Sequence, residues 1–196
     1  MCWSECQGEA TMSTTYLRRR NLADLGQVRL RLATPADTQA LMEFFSDLAD
    51  HDLLFLRHNP IDSEVIDRWT QPSQSGAFLL GISEVDDSVV GVAALERLGR
   101  ERSEHVGSIW MVIGSRYRRR GLGHLLASEI FEIGLGLGLR KIVAEVASDQ
   151  KAAIQVFERR GFRVEGNLID HVRDRNGDLH DLTLMAAPVH QFMMGD

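Results

Sequence analysis

The stretch that decides the fold is "RRRGLG" at residues 118–123, which runs directly into the apolar segment "HLLASEIFEIG". The residues before it, "HVGSIWMVI" at 105–113, have the apolar character of a buried strand. Where a strand turns into a helix, the first helical N–H groups lack intrahelical partners and lie at the positive end of the helix dipole. Gly121 and Gly123 also let a ligand approach the backbone closely. The pattern therefore predicts a cradle for a diphosphate.

Two common phosphate motifs are excluded by the residues in and after this turn. A P-loop needs Gly-Lys followed by Ser or Thr, and no such triplet follows Gly121. The dinucleotide fingerprint needs a third glycine, where Leu126 and Ala127 stand instead. A net charge of −6 also argues against a dedicated nucleic-acid binder, so no nucleic-acid partner is expected.

Residues 1–26 are predicted to form a flexible leader, with Met12 as an alternative start to Met1. The segment lacks the apolar core of a secretory signal, and it holds the only two cysteines, Cys2 and Cys6. No cysteine is therefore left for a metal site in the rest of the chain, and no metal is predicted.

Residues 27–196 are predicted to form a single domain of alternating strands and helices. The expected order is β-α-α-β-β-β-α-β-α-β-β, which is typical of the α/β (α+β) class. Thr34-Pro35 predicts a helix start, and Asn176-Gly177 between two strand patterns predicts a hairpin. No apolar run has the length of a membrane span, so we expect a cytoplasmic protein without membrane contact.

Further motifs follow the glycine-rich turn in a specific order. Residues 118–123 match Arg/Gln-x-x-Gly-x-Gly/Ala, the signature of the GCN5-related N-acetyltransferase (GNAT) family. After the next strand, Gln150, Ala153 and Phe157 stand where that family carries Asn, Ala and Tyr on one helix, and Gly161-Phe162 follows. The order and spacing together make the chain resemble this family.

The resemblance extends over roughly residues 28–188 and implies the fold of the GNAT acyl-CoA N-acyltransferases. That fold is a mixed, mostly antiparallel sheet of six to seven strands, flanked by helices and with two splayed central strands. The implied cosubstrate is acetyl-CoA, whose pyrophosphate would lie on residues 119–124 and whose pantetheine arm would pair with the strand at 111–113. The residues implied in cofactor binding are Met111, Val112, Ile113, Arg118, Arg119, Arg120, Gly121, Leu122, Gly123, His124, Gln150 and Phe157.

The implied reaction is direct attack of a primary amine on the thioester, which needs a base for the amine proton and a polarised carbonyl. Glu145 is the first candidate base, because it stands where a ribosomal-protein acetyltransferase branch of the family carries its catalytic Glu. It is also the one acidic residue of the apolar strand "KIVAEVA", although it could equally face water or pair with an arginine. Glu96 and His105 are the alternatives. The expected acceptor is a small amine or amino acid, or else a protein amine.

One departure from the family pattern supports a second hypothesis. Phe157 replaces the usual Tyr and cannot donate a proton to the leaving thiolate, which favours a non-catalytic CoA-binding sensor or regulatory module. Trp110 is interpreted as a core aromatic, and residues 18–20 ("RRR") as a charged tail. His51 and His58 are placed in a loop near the substrate entrance. A homodimer is expected because family members often form one.

Overall fold

The computed structural model describes residues 16–56, 59–71, 76–99 and 101–189, apart from the side chain of Glu101. Within these residues, one eight-stranded sheet carries helices on both faces. The strands are β1 (Leu17–Leu22), β2 (Gly26–Leu32), β3 (Gly76–Ser83), β4 (Val89–Arg97), β5 (Val106–Ile113), β6 (Lys141–Ala147), β7 (Arg163–Arg173) and β8 (Leu179–Pro188). The helices are α1 (Thr38–Ser46), α2 (Ser63–Thr70), α3 (Leu122–Gly136) and α4 (Lys151–Glu158).

The strand order across the sheet is β1-β2-β3-β4-β5-β6-β8-β7. Only β5 and β6 run parallel, and the other neighbouring strands of the described sheet run antiparallel. The expected mixed, mostly antiparallel sheet flanked by helices is thereby confirmed. Its strand count is higher than the expected six to seven because β1 adds an edge strand.

The predicted leader at residues 1–26 is wrong over its second half. Residues 17–22 form β1, which pairs in register with β2 from Leu17 opposite Arg31 to Leu22 opposite Gly26. Residues 1–15, with both cysteines and Met12, lie outside the described residues. The first described strand therefore begins about ten residues before the domain boundary expected from the sequence.

The two central strands diverge. β5 and β6 pair over four residues, from Val106 opposite Lys141 to Ile109 opposite Ala144. Beyond that point β5 pairs only with β4, up to Ile113, and β6 pairs only with β8, up to Ala147. The expected splay is thus present, and the space between residues 110–113 and 145–147 is called the interstrand gap below.

Two buried clusters lie on opposite faces of the sheet. Helices α3 and α4 pack over one face, where the core includes Leu95, Ile109 and Ile142. Helices α1 and α2 pack over the other face, where the buried strand residues of the cluster come from β3, β4 and β5, and none of those described comes from β6, β7 or β8. The second face is therefore covered by helices only up to the interstrand gap.

Local signals explain where elements begin. Thr34 and Asp37 form a capping box, because the Asp37 carboxylate accepts the backbone N–H of Thr34 at 2.8 Å, with Pro35 in the first turn. The predicted helix start at Thr34-Pro35 is a short 3-10 turn that leads into α1. No helix of the described residues is long and apolar enough to cross a membrane.

A buried carboxylate holds β1 against α3. Glu129 is 2% exposed, accepts a hydrogen bond from Tyr16 and forms an ion pair with Arg20, whose guanidinium lies 2.9 Å from Oε1. Burial, followed by the hydrogen bond to Glu129, raises the pKa of Tyr16 above its usual value. Arg19 pairs with Glu84 at 2.8 Å. The prediction of a charged tail at residues 18–20 is therefore wrong, since two of these arginines pair with residues of the folded domain.

Loss of the arginine that faces Glu129 should destabilise the protein. Arg20→Met leaves the Glu129 charge buried without its cation, and because Arg20 is itself half exposed we expect a loss of about 2 kcal/mol in the free energy of unfolding. Adding Glu129→Gln should recover part of that loss. Urea unfolding measures both, with Arg19→Met in the exposed pair as the control. Equal effects of Arg20→Met and Arg19→Met would contradict this account of β1.

Candidate active site

The glycine-rich turn presents unpaired amides at the start of α3. Arg119 and Gly121 adopt left-handed backbone angles, with φ of 59° and 84°. Gly121 caps the helix without a side chain, and the first hydrogen bond joins the amide of Leu125 to the carbonyl of Gly121 at 3.1 Å. The N–H groups of residues 122–124 consequently have no intrahelical acceptor, and they lie where the helix dipole favours an anion.

Open space lies in front of these amides. A Cβ built on Gly123 would meet only Ile113 of β5 and Val156 of α4, each at 4.0 Å. A Cβ on Gly121 would lie 3.6 Å from Leu22, but its φ of 84° strains any side chain there. The turn and the space beside it therefore fit a diphosphate with a narrow arm that continues toward the interstrand gap, as acetyl-CoA requires.

The three arginines of the turn, residues 118–120, differ in their contacts. Arg118 donates to the carbonyl of Ile113 at 3.1 Å and pairs with Asp52 at 2.6 Å. Arg120 donates to the carbonyl of Asp24 at 3.0 Å. Arg119 makes no hydrogen bond or ion pair with another described residue. Of the three, Arg119 is therefore the guanidinium left for a bound phosphate, while Arg118 and Arg120 hold the turn in place.

A second cationic group, which the sequence analysis missed, lies at the end of α4. Arg160 donates to the carbonyl of His124 at 3.0 Å, and Arg159 precedes it. Burial, and then the charges of Arg160 and Arg159, lower the pKa of His124 below its usual value. The sequence holds these residues as "ERRG" after α4, but only the packing of α4 beside α3 brings them to the turn.

The backbone of β5 turns toward the interstrand gap at alternate residues. Gly114 donates to the carbonyl of Val90 in β4, whereas the carbonyl of Ile113 accepts from Arg118 instead. Because strand backbone groups alternate in direction, the N–H groups of Ile113 and Met111 point away from β4 and into the gap. These amides have the placement that pairing with a pantetheine arm requires.

Several residues expected to bind the cofactor have their side chains in the core. Val112, Leu122 and Phe157 are each 4% exposed or less. The Phe157 ring packs on Phe162 with centroids 4.9 Å apart. The structure therefore leaves Leu122 only its backbone for a ligand, whereas the backbone groups of Val112 face Val92 of β4, and it places the Phe157 ring in the hydrophobic core.

The candidate bases separate into two places. Ile109 and Ala144 are the last pair of β5 and β6, so Glu145 is the first residue of β6 past the pairing, and it is half-buried. Glu96 of β4 is exposed and lies opposite Ser108 of β5, which in turn lies opposite Val143 of β6. Paired residues of neighbouring strands point to the same face, and so do residues two apart in one strand, so Glu96 shares its face with Val143 and Glu145. The structure thus brings Glu96 and Glu145 to one face beside the start of the gap.

His105 lies at the other end of β5. It precedes the first paired residue of that strand, and its carbonyl accepts the backbone N–H groups of Arg140 and Lys141. The interstrand gap opens at the opposite end of the strand. His105 is consequently not brought together with Glu96 and Glu145.

The turn Asp50–Leu53, called the bridging turn below, spans the mouth of the gap. Asp52 pairs with Arg118 after β5, and the carbonyl of His51 accepts from Gln150 after β6 at 3.0 Å. Asp50 pairs with Arg175 in the β7–β8 hairpin at 2.8 Å. Gln150 therefore donates its amide to this turn, and its binding of the cofactor stays a prediction.

The predicted histidine loop is partly described. His51 lies in the bridging turn, and its ring is 6.2 Å from that of His180, which bonds Asp174 at 3.2 Å. His58 lies outside the described residues. Within the described part of the chain, no group of three or more His, Cys, Asp or Glu side chains is placed to hold a metal ion.

Comparisons with known proteins agree with this geometry. The model of the acetyltransferase (GNAT) family matches residues 39–162. AaaT, an L-amino acid N-acetyltransferase of Escherichia coli (strain K12), is 31% identical over 103 residues, which cover 52% of this chain and 63% of AaaT. YwnH of Bacillus subtilis (strain 168), whose name proposes a phosphinothricin acetyltransferase, is 22% identical over 157 residues, covering 80% of this chain and 96% of YwnH.

Solved structures show the same fold. A GNAT-family acetyltransferase from Streptococcus pneumoniae superposes with a TM-score of 0.69 at 25% identity, covering 82% of this chain and 99% of that chain. The structure of yncA from Salmonella typhimurium, solved with its cofactor acetyl-CoA, has a TM-score of 0.69 at 20% identity, covering 83% of this chain and 94% of that chain.

Because the family model matches more than half of this chain, the chain belongs to the GNAT acetyltransferase family. The resemblance stated from the sequence is confirmed, and so are the fold class and, at the level of the family, acetyl-CoA as the cosubstrate. The roles of individual residues remain predictions.

Filling the space in front of Gly123 should block the cofactor. Gly123→Leu keeps a helical backbone but places its side chain between Ile113 and Val156, so the Kd for acetyl-CoA should rise by more than about tenfold. Gly136→Leu is the matched control at the far end of α3, where a Cβ meets nothing within 4 Å. Calorimetric titration measures both. Unchanged affinity in Gly123→Leu would place the cofactor elsewhere.

The pH dependence of binding should report on His124. Its pKa is lowered in the free protein, and phosphate charge beside it would raise that pKa in the complex. The complex then holds more protons than its free components, so affinity should rise as the pH falls from about 8 to about 6. His124→Gln is the control, because it keeps the titration of the cofactor's own phosphates. Parallel pH profiles of the two proteins would show that His124 does not face the phosphates.

Proposed function

We propose that this chain transfers the acetyl group of acetyl-CoA to a primary amine by direct attack, and that the acceptor is a small amine or an amino acid. One observation carries the proposal: unpaired helix amides lie at one end of the interstrand gap, and a carboxylate, Glu145, lies at its start. The names of the relatives AaaT and YwnH point to L-amino acids and to phosphinothricin, which are small molecules. The homodimer and the cytoplasmic location expected from the sequence stay predictions.

The chain's own groups have distinct tasks in this reaction. Bound acetyl-CoA supplies the thioester; as the amine forms its C–N bond the C–S bond breaks, and CoA leaves as a thiolate that takes its proton from solvent. The amides of residues 122–124, with Arg119, hold its diphosphate. The N–H groups of Met111 and Ile113 pair with the arm and polarise the carbonyl, so that charge developing on its oxygen meets a fixed donor.

Glu145 is proposed as the general base. It lies at the start of the gap on the face that α1 and α2 leave open, where an amine can approach the thioester from the side opposite α3. A carboxylate there takes the proton that an ammonium must lose before it attacks. Glu96 shares that face from β4 and is the second candidate.

Titration with acetyl-CoA, followed by a transfer assay, tests the proposal. Acetyl-CoA and desulfo-CoA should each bind one site per chain in the micromolar range, since both carry the diphosphate. With an amine acceptor, Glu145→Gln should lower kcat by about a hundredfold while leaving the Kd for acetyl-CoA unchanged. Glu158→Gln, an exposed carboxylate on α4, is the control. An unchanged rate in Glu145→Gln would remove this residue as the base.

A second candidate function is a non-catalytic CoA-binding module. The Phe157 ring is buried against Phe162 and offers no proton to a leaving thiolate, which favours this alternative. It is distinguished by the same assay. Binding of acetyl-CoA without transfer to any amine would support the module and contradict the enzyme.

A further inference from the structure

A row of aromatic rings leads across the sheet to the interstrand gap. Phe78 of β3 stacks on Trp69 of α2, with centroids 5.4 Å apart. Trp69 in turn contacts Trp110 of β5 at 5.0 Å. Phe78 is buried, but Trp69 and Trp110 are only half-buried, so the row becomes more exposed as it approaches the gap. Trp110 is the ring of this row that lies at the edge of the gap.

Trp110 and Glu145 face the same side at the start of the gap. Ile109 and Ala144 are the last paired residues of β5 and β6, and both point into the cluster under α3. The next residue of each strand points to the opposite face, because side chains alternate along a strand. An indole and a carboxylate therefore flank the point where the two strands separate, on the face where an acceptor would enter.

The charge on this face suits a cation. Glu96, exposed on β4, lies on the same side of the sheet and two residue pairs closer to the closed end than Trp110. A protonated amine gains from a carboxylate and from the face of an indole ring, which attracts cations through its quadrupole. The groups at the start of the gap thus suit an ammonium that lies beside the rings of Trp69 and Trp110, which are called the apolar wall below.

An apolar cover continues the wall. Phe55 and Leu56, directly after the buried residues Leu53 and Leu54, are half-buried and pack against the same cluster as Trp69 and Trp110. This segment follows the bridging turn, which is tied to both sides of the gap. The acceptor side is therefore bounded by rings and aliphatic groups next to its carboxylates.

We infer that the acceptor is a primary amine with an apolar, aromatic or branched aliphatic body, which lies on Trp110 and Trp69 while its amine faces Glu145. The inference rests on the proposed function and specifies its substrate class. Transfer of such a body from water onto the rings supplies binding that a short polar amine cannot obtain. Selectivity should consequently depend on the body of the acceptor and on Trp110.

Matched acceptor pairs test the inference on the full-length chain. Phenethylamine and ethanolamine form one pair, and L-phenylalanine and L-serine form the other, so each pair differs only in its body. The kcat/KM for the apolar member should exceed that for the polar member by at least about tenfold in whichever pair is acetylated. Equal or reversed values would overturn the inference while leaving the acetyltransferase proposal standing. No transfer to any of the four would contradict both.

Variants connect the selectivity to the wall. Trp110→Ala should bring the ratio of kcat/KM within a pair close to one, and Trp110→Phe should restore most of it. Ile82→Ala removes packing from the same buried cluster at a residue of β3 that is outside the ring row, and it should leave the ratio unchanged. A ratio that survives Trp110→Ala, or that falls equally in Ile82→Ala, would assign these rings to packing alone.

Binding without chemistry gives an independent measurement. Phenethylamine titrated into the protein saturated with desulfo-CoA should bind at one site, and ethanolamine should bind at least about tenfold more weakly. The difference should be lost in Trp110→Ala. Equal binding of the two amines to the wild-type protein would also overturn the inference.

Discussion

The rest of the site depends on the early end of the pairing between β5 and β6. These parallel strands share hydrogen bonds only from Val106 to Ile109, although both continue for several residues. Backbone groups that lose a strand partner must find another one, and here Arg118 satisfies the carbonyl of Ile113. The amides that point into the gap are left for a ligand with its own amide groups. A sheet that closed completely would have neither the gap nor its unpaired backbone.

The gap also separates two regions of opposite charge. On the side of α3 and α4, the helix dipole, Arg119 and the arginines at the end of α4 favour an anion. On the side that α1 and α2 leave partly open, Glu96 and Glu145 favour a cation. Acetyl-CoA carries its negative charge at one end, and an amine substrate arrives as a cation. The two substrates are therefore directed to opposite sides of one opening, where their reacting atoms can meet.

Local patterns were sufficient to predict most of the fold. The strand before "RRRGLG", the helix after it and the Asn176-Gly177 hairpin depend on neighbouring residues and lie where the sequence indicated. β1 was missed because "LRRRNL" is an exposed edge strand without an apolar alternation, and the buried carboxylate that pairs with its Arg20, Glu129, is more than one hundred residues away. Sequence patterns report on structure formed by neighbouring residues. An ion pair between segments far apart in the chain exists only once the whole domain has folded.

The same distinction explains which site residues could be predicted. The amides of the turn follow from its glycines, and Glu145 follows from its strand. The contacts of Arg118 and Gln150 could not be predicted, because their partners Asp52 and His51 belong to a loop far away in sequence. A family motif states which residue type stands at a position, but it does not show which groups that residue meets.

The bridging turn finally shows how three consecutive arginines come to have different surroundings. Asp52 neutralises Arg118, and Asp50 neutralises Arg175 on the other side of the same turn. Arg120 is directed to a carbonyl of the β1–β2 hairpin. Of these three arginines, Arg119 is therefore the one whose guanidinium makes no hydrogen bond or ion pair with another described residue, and it lies just before the start of α3. A small anion at the helix start gains from such a charge at short range.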